Sequence, residues 1–385
     1  MSDMPPPIMT SEPGSLAHAT IAERLPMLLG QVIRDNHYPA PIVRAVEALR
    51  DELAGQPIRP FVEQAPDVAF WNRAAAPYEG RSWLDLPWYF AETYFYRRLL
   101  EAVGYFQPGP WQGHDPYAAQ KREEEGQAAA WLASSGHELA GGADLTTLLH
   151  SSLWGNRADP SRPDVQEEVQ GGIAAQQERQ HILVDDTERV EALLAPGLDR
   201  VDVVTDNDGR ELLFDLALAD FIVERGLAGR VTFHLKGHPF FVSDAMVADA
   251  RRLVGAIATE PLGRRLQGHL VAGRLALADD PFWTTHLGYH QMPAALAADL
   301  GGADLVLLKG DVNYRRLLDD RHWPHTARLS ETAAYFAAPF LAVRAIKSEV
   351  LVDLAQGQAE ELAARDPDWL INGRWGIVQL VAGTG

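Results

Sequence analysis

The sequence predicts an α/β protein, with an N-terminal helical domain packed on a three-layer α/β/α sandwich whose sheet is mostly parallel. Three observations carry that prediction. Through the first half, apolar residues recur every three to four positions, the period of an amphipathic helix. From about Asp199 they gather instead into short apolar runs separated by helix-like segments, the alternation of a parallel sheet covered on both faces. No internal repeat or long low-complexity linker divides the chain, so the two halves are expected to pack on each other.

Taken in order, residues 1–16, "MSDMPPPIMTSEPGSL", lack the basic end and apolar run of a signal peptide and read as a flexible tail. Residues 17–195 read as the helical domain, through "IAERLPMLLGQVIRD", "PIVRAVEALRDEL" and "PWYFAETYFYRRLLEAV". A more polar helix, "DPYAAQKREEEGQAAAWLASS", carries Glu123, Glu124 and Glu125 on what reads as a solvated face. Residues 196–385 hold the runs "RVDVVTD", "GRVTFHLKG", "LVAGRLALAD", "ADLVLLKGD", "APFLAVRA" and "WGIVQLVAG", each the length of a buried strand.

Composition narrows the function. With 385 residues, 46% hydrophobic and 23% charged, the chain can bury a large core. A net charge of −19 opposes attraction to nucleic acid and to anionic membranes, so neither is an expected partner. A phosphate-bearing ligand would then need a local cationic site. The lack of cysteine removes disulfides, thiolate metal sites and thiol nucleophiles together, and fits a reducing cytoplasm. The most apolar late stretch, "TAAYFAAPFLAVRAI", is broken by Pro339 and Arg344 and is too short to span a bilayer.

In an open α/β sheet, ligands bind beyond the carboxyl ends of the strands, so the residues just past each strand are the functional candidates. The first of these six runs leads into Asp206-Asn207-Asp208-Gly209-Arg210-Glu211, and the second into "HLKGHPFFVSDAM", which brings Asp244. "DLVLL" leads into Lys309-Gly310-Asp311-Val312-Asn313, and "PFLAV" into Arg344, with Lys347 three residues on. Asp206, Asn207 and Asp244 are hard oxygen ligands suited to Mg²⁺ or Mn²⁺, and the set with Asn207 suits Co²⁺ or Ni²⁺ equally. Lys309, Arg344 and Lys347 supply the positive charge that the chain otherwise lacks, and with helix N-termini they form a way to hold a phosphate.

A lone Asp or Asn after a strand is commonly a helix N-cap, and a lone lysine a surface residue; several such strand edges together favour a site. Asp208 and Arg210 read as turn and surface residues. Upstream, "LLHSSLWGNRADPS" reads as a helix ending at Gly155 with Trp154 in the core, while Asn156 and Asp159 could reach a cleft between the halves. His234, His238, His286 and His290 lack metal-ligand spacing and read as structural.

The stretches "SLWGN", "DNDGRELLFDLALADFI", "FHLKGHPFFVSD", "FWTT", "KGDVNYRRLLDDRHWP" and "RAIK" resemble the damage-control phosphatase family, and within it the third subfamily. The resemblance runs from about Glu23 to the C-terminus. It implies a helical domain on an α/β/α sandwich holding one divalent cation, with phosphatase activity on small phosphometabolites, typically fructose 1-phosphate and fructose 6-phosphate. By motif, Asp206, Asn207 and Asp244 resemble the metal ligands, Glu211 a ligand-binding acid, and Lys309 to Asn313 the substrate-binding loop. Lys347 closes the Arg-Thr-x-Lys signature, here Arg344-Ala345-Ile346-Lys347, in which alanine replaces threonine. Asp208 stands where the family has a small residue.

The expected reaction is metal-dependent hydrolysis of a phosphomonoester. Asp206, Asn207 and Asp244 would hold the cation, Lys347 and Lys309 would neutralise the phosphoryl oxygens, and Asp206 or water would attack. Asp244 or Asp311 would handle the proton, and Asn156 and Asp311 would contact sugar hydroxyls. Two alternatives stand beside it. One is carboxyl methyl transfer from S-adenosylmethionine, disfavoured by the lack of a glycine-rich loop after the first of the six predicted strands. The other is a sugar-phosphate-binding protein without turnover.

Overall fold

Every one of the six apolar runs from residue 199 onward forms a strand, and a seventh strand joins them from upstream. The computed structural model describes residues 4–136, 139, 142–155 and 179–383. The strands are β1 (Ile182–Asp185), β2 (Leu198–Val204), β3 (Ala228–Leu235), β4 (Leu275–Asp279), β5 (Leu305–Lys309), β6 (Phe340–Ala345) and β7 (Gly376–Val381). They form one sheet in the order β1-β7-β6-β5-β2-β3-β4. All neighbours pair parallel except β6 and β7, which are antiparallel. The chain steps outward from β2 through β3 to β4, then returns to place β5 on the other side of β2. That reversal makes the β2–β5 boundary the crevice where the carboxyl ends of the strands can receive a ligand.

Both faces of the sheet are covered, which is why its strands read as unbroken apolar runs. In β5, Leu305 and Leu307 enter one core while Val306 and Leu308 enter the other; in β6, Leu341 and Val343 oppose Phe340 and Ala342 in the same way. The first core is roofed by the helices Leu145–Trp154, Arg210–Glu224, Val247–Ala256 and Pro261–Val271. A third core joins the N-terminal helices Leu25–Asn36, Ala40–Leu53 and Trp88–Val103 to Phe240 and Phe241 from the loop after β3. Among the described residues, no helix is long and apolar enough to cross a membrane.

Three readings of the sequence are corrected by this architecture. The reading of 17–195 as helical fails at its end, because β1 pairs with β7 and the helix Thr187–Leu194 comes next on the sheet. Four residues are too few for alternation to reveal a strand. The reading of 1–16 as a flexible tail fails from residue 5, where the Pro5 carbonyl accepts from Arg321 and the Pro6 carbonyl from the His322 N–H. Ile8 is buried, its N–H donates to the Asp320 carbonyl at 3.0 Å, and its own carbonyl accepts from Trp88 at 2.8 Å. Thr10, also buried, donates its hydroxyl to the carbonyls of Trp83 and Leu86. The acidic run is not wholly solvated either, since Glu125 is buried and accepts from Arg252 at 2.6 Å.

Replacing Ile8 by alanine tests the first segment's role. Loss of a fully buried isoleucine is expected to cost about 2–5 kcal/mol in urea unfolding, whereas a tail residue would cost close to nothing.

Candidate active site

The backbone brings the polar strand ends together before any side chain is considered. After β2, Asn207 bridges Asp244 in an antiparallel pair, and the Ala245 N–H donates to the Asp206 carbonyl at 2.8 Å. Across the β2–β5 boundary, Gly310 adopts φ +80°, and a Cβ there would lie 1.9 Å from Asp206 Oδ2. Only glycine allows the start of the helix Gly310–Leu317 to rest against that carboxylate.

Asp206, Asn207, Glu211, Asp244, Gly310, Asp311, Val312 and Lys347 all line one cavity of about 400 Å³. Asn207 Nδ2 donates to Asp206 Oδ2 at 2.8 Å and to Glu211 Oε2 at 2.9 Å, and its Oδ1 accepts from Ser243 Oγ at 2.5 Å. Burial, with Glu211 and Asp244 close by, holds the Asp206 carboxyl far above the usual carboxylate range, against the pull of Lys236 and Lys347. Burial also raises Asp244, although Lys236 and Lys121 oppose it. Asp244 Oδ2 stands 3.3 Å from Lys236 Nζ yet, among the described residues, accepts no well-directed hydrogen bond.

These donors fit a hard cation. Three carboxylates and an amide crowd one buried place, one oxygen is left short of a hydrogen-bond donor, and an N–H₂ group now stands between two of the carboxylates. A half-turn of the Asn207 amide puts its oxygen there instead.

Other predicted residues sit behind the wall and hold it. Lys309 is 1% exposed, and its ammonium meets the Ser152 carbonyl at 2.8 Å, Glu211 at 3.2 Å and Asp215 at 3.2 Å. An ammonium has three donors, and these contacts use them, so Lys309 clamps carboxylates and presents no free charge to a phosphate. Burial opposes its charge, but Asp215 and Glu211 outweigh that and raise its pKa. Asn313 donates to the Thr205 and Lys309 carbonyls and accepts from the Tyr289 hydroxyl at 2.6 Å. Arg344 ion-pairs with Asp311 at 2.8 Å while its guanidinium lies over Tyr314. The same Asp311 oxygen accepts from the Lys347 N–H and the Ser348 hydroxyl, each at 3.1 Å. Ala345 lines the cavity, so the hydroxyl missing from the signature is missing at its wall.

Asn156 and Asp159 lie outside the described residues. Gly155 comes directly after the helix with φ −54°, not in a left-handed cap. A Cβ there would come within 2.8 Å of Glu211 Cα, so the glycine is needed where two helices cross. Trp154 is in the core, as expected. His234 is structural too, buried against Asp202 at 3.1 Å.

The sequence reading missed the far wall. Trp88, Glu92 and Tyr96, from the helix Trp88–Val103, face the strand ends across the cavity. Arg315 ties Glu92 at 2.6 Å and lies 3.6 Å over the Trp88 ring. The helical spacing of positions 88, 92 and 96 was visible as a stripe, but a stripe alone reads as core. Phe241 takes φ +56°, a left-handed backbone seldom used by bulky residues, and its ring meets that of Tyr96 at 4.7 Å. Asp208 is corrected from turn residue to buried acid. Burial, with Asp249 and Glu125 beside it, pushes its carboxyl up to about 9. Arg210 is half-buried over Trp131.

The chain as a whole is similar to known proteins of one family. Residues 20–362 match the damage-control phosphatase ARMT1-like domain. Damage-control phosphatase ARMT1 of Danio rerio is 33% identical, over 98% of this chain and 97% of its own. The Mus musculus protein of that name is also 33% identical, over 98% and 99%. A crystal structure of a DUF89 family protein from Pyrococcus horikoshii shares the fold, with a TM-score of 0.52 at 15% identity, covering 94% of this chain and 96% of that one.

Replacing Lys309 by methionine would leave Glu211 and Asp215 buried without their shared cation, with an expected loss of about 3–5 kcal/mol at pH 7.5. Burial, against Lys309's pull and with Glu211's help, holds Asp215 up at about 6. The folded chain therefore binds that proton more tightly than the unfolded one. The stabilisation from this is whole below about pH 4 and gone above about pH 6. Urea unfolding of the variant should thus show a smaller loss at pH 5 than at pH 7.5; equal losses would contradict the clamp.

Proposed function

The chain belongs to the damage-control phosphatase family with an ARMT1-like domain, and from that premise we propose that it is a metal-dependent phosphatase of small phosphorylated metabolites. Sugar phosphates such as fructose 1-phosphate and fructose 6-phosphate are the substrates inferred. One observation carries the reading. In a chain of net charge −19, a cavity at the sheet's switch point sets Asp206, Asn207 and Asp244 beside Lys347 and a helix N-terminus.

Asp206, Asn207 and Asp244 would hold one divalent cation, Mn²⁺, Co²⁺, Ni²⁺ or Mg²⁺, whose charge polarises a phosphoryl oxygen when bound. Lys347 and the backbone N–H groups of Gly310, Asp311 and Val312 neutralise the remaining phosphoryl oxygens, where charge spreads during transfer. Asp311 acts mainly as a positioning residue, because its Oδ1 ties the Lys347 segment to that helix start. Arg344 keeps Asp311 in place, and Lys309 does the same for Glu211. In this reading Asp206 or a water attacks phosphorus as the bond to the sugar oxygen breaks, and Asp244 supplies the proton to that leaving oxygen.

The far wall supports a sugar. Trp88, Glu92 and Tyr96 line that wall, held there by Arg315 and Phe241, and the cavity of about 400 Å³ takes a hexose phosphate. Glu211 would reach the same ligand from the strand side.

The test is phosphate release from fructose 1-phosphate, fructose 6-phosphate and p-nitrophenyl phosphate, using metal-stripped protein resupplied with each cation. Turnover should need metal, fall by about 10²-fold or more in Asp206→Ala, and weaken in Lys347→Ala. No release with any cation from folded protein would overturn the reading and turn attention to S-adenosylmethionine-dependent labelling of acidic proteins.

A further inference from the structure

Behind the turn that carries Asp206 and Asn207 lies a second acidic group that the phosphatase reading does not use. Glu125 comes from the helix Ala118–Ser135, Asp208 from the turn itself and Asp249 from the first turn of the helix Val247–Ala256. Their exposures are 6%, 2% and 0%. One carboxylate oxygen from each lies within 4.8 Å of the others. Two oxygens on opposite sides of a single Mg²⁺, Mn²⁺ or Ca²⁺ ion are about 4–5 Å apart, so the spacing suits one ion shared by all three.

Acidic crowding alone would not mark a site, because neighbouring cations can absorb it. Here they do so incompletely. Arg252 pairs with Glu125 at 2.6 Å and also with Asp249; Lys121 pairs with Asp249 at 3.0 Å and with Asp115 at 3.3 Å. Among the described residues, Asp115, Glu125 and Asp249 pair only with Lys121 and Arg252, and Asp208 pairs with neither. Asp208 stands at the centre of the group, with both carboxylate oxygens buried and meeting no well-directed hydrogen-bond donor among the described residues. A buried carboxylate in that condition carries a large desolvation cost, and a cation is one way to offset it.

The scaffold is also rigid. Gly209 has φ +68°, and a Cβ there would lie 2.9 Å from Glu124 Cβ, so the turn is pressed on the helix Ala118–Ser135. The Asp208 N–H donates to the Ser243 carbonyl at 2.7 Å, and Asp249 Oδ2 accepts from the Met246 N–H at 2.8 Å. The three acids therefore stand on elements that cannot easily move apart.

We propose that Glu125, Asp208 and Asp249 form a second, structural site for a divalent cation with oxygen ligands. It fastens the Asp206–Asn207 turn to two helices and is separate from the catalytic cation. Lys121 links the two places, since its ammonium also donates to the Asp244 carbonyl at 2.8 Å.

The experiment uses the full chain carrying Asp206→Asn and Asp244→Asn, which disables the first site, stripped with chelator and checked for folding by circular dichroism. Mn²⁺ is titrated in, bound ion is counted by electron paramagnetic resonance, and thermal unfolding is followed with Mn²⁺ and with Ca²⁺. The expected result is about one Mn²⁺ per chain and a metal-dependent rise in Tm. Adding Asp208→Asn, or separately Glu125→Gln, should abolish both, and the second variant covers the case in which the first does not fold. Absence of bound Mn²⁺ and of any Tm rise with either ion, or binding that survives both added substitutions, would overturn the proposal. Neither outcome depends on phosphatase activity.

Discussion

The crowding of buried carboxyl groups at the carboxyl end of β2 is the constraint on which the rest of the structure depends. Asp206, Asp208, Glu211 and Asp215 all become buried within one turn and the first turns of one helix, and Asp244 joins them from the loop after β3. Such a cluster costs several kcal/mol per ion unless cations meet it with good geometry. The sheet order provides for this. Putting β5 and β3 on either side of β2 delivers Lys309 to Glu211 and Asp215, and Lys236 to Asp244. The lysines that end two neighbouring strands are therefore part of what allows the acidic turn to exist.

The helical domain does more than cover that turn. Its helix Trp88–Val103 supplies the opposite wall of the cavity, and the N-terminal segment holds that helix in place. Ile8 joins the Asp320 backbone to the start of the helix, and the Asp320 carboxylate pairs with Arg315 at 2.7 Å. Arg315 in turn holds Glu92 in the cavity wall. A chain of contacts so connects residue 8 to the site through two elements of the sheet domain.

Much of the fold was legible because its signals are local. Period and run length identified six of seven strands, and the alternation of strand and helix implied the parallel sheet. The same reasoning drew Asp206, Asn207, Glu211, Asp244, Asp311 and Lys347 together, since residues just past parallel strands must share one edge, and all six line the cavity. Lys309 illustrates where that reasoning stops. Its position placed it at the edge, but a side chain at an edge can turn toward ligand or toward neighbours, and Asp215 lies a full helical turn beyond Glu211, out of view in any strand-end pattern.

The sequence by itself determined six of the seven strands, most of the helices, and which polar residues lie at those strand ends, because φ/ψ preference and apolar periodicity act over a few residues at a time. Tertiary structure decided the partners. Whether Asp208 is a solvated turn residue or a buried acid facing Glu125 and Asp249, and whether Ile8 hangs free or seals a core, depends on segments distant in the chain coming into contact. Desolvation and ion pairing are properties of that assembled neighbourhood, so no local reading of the chain contains them.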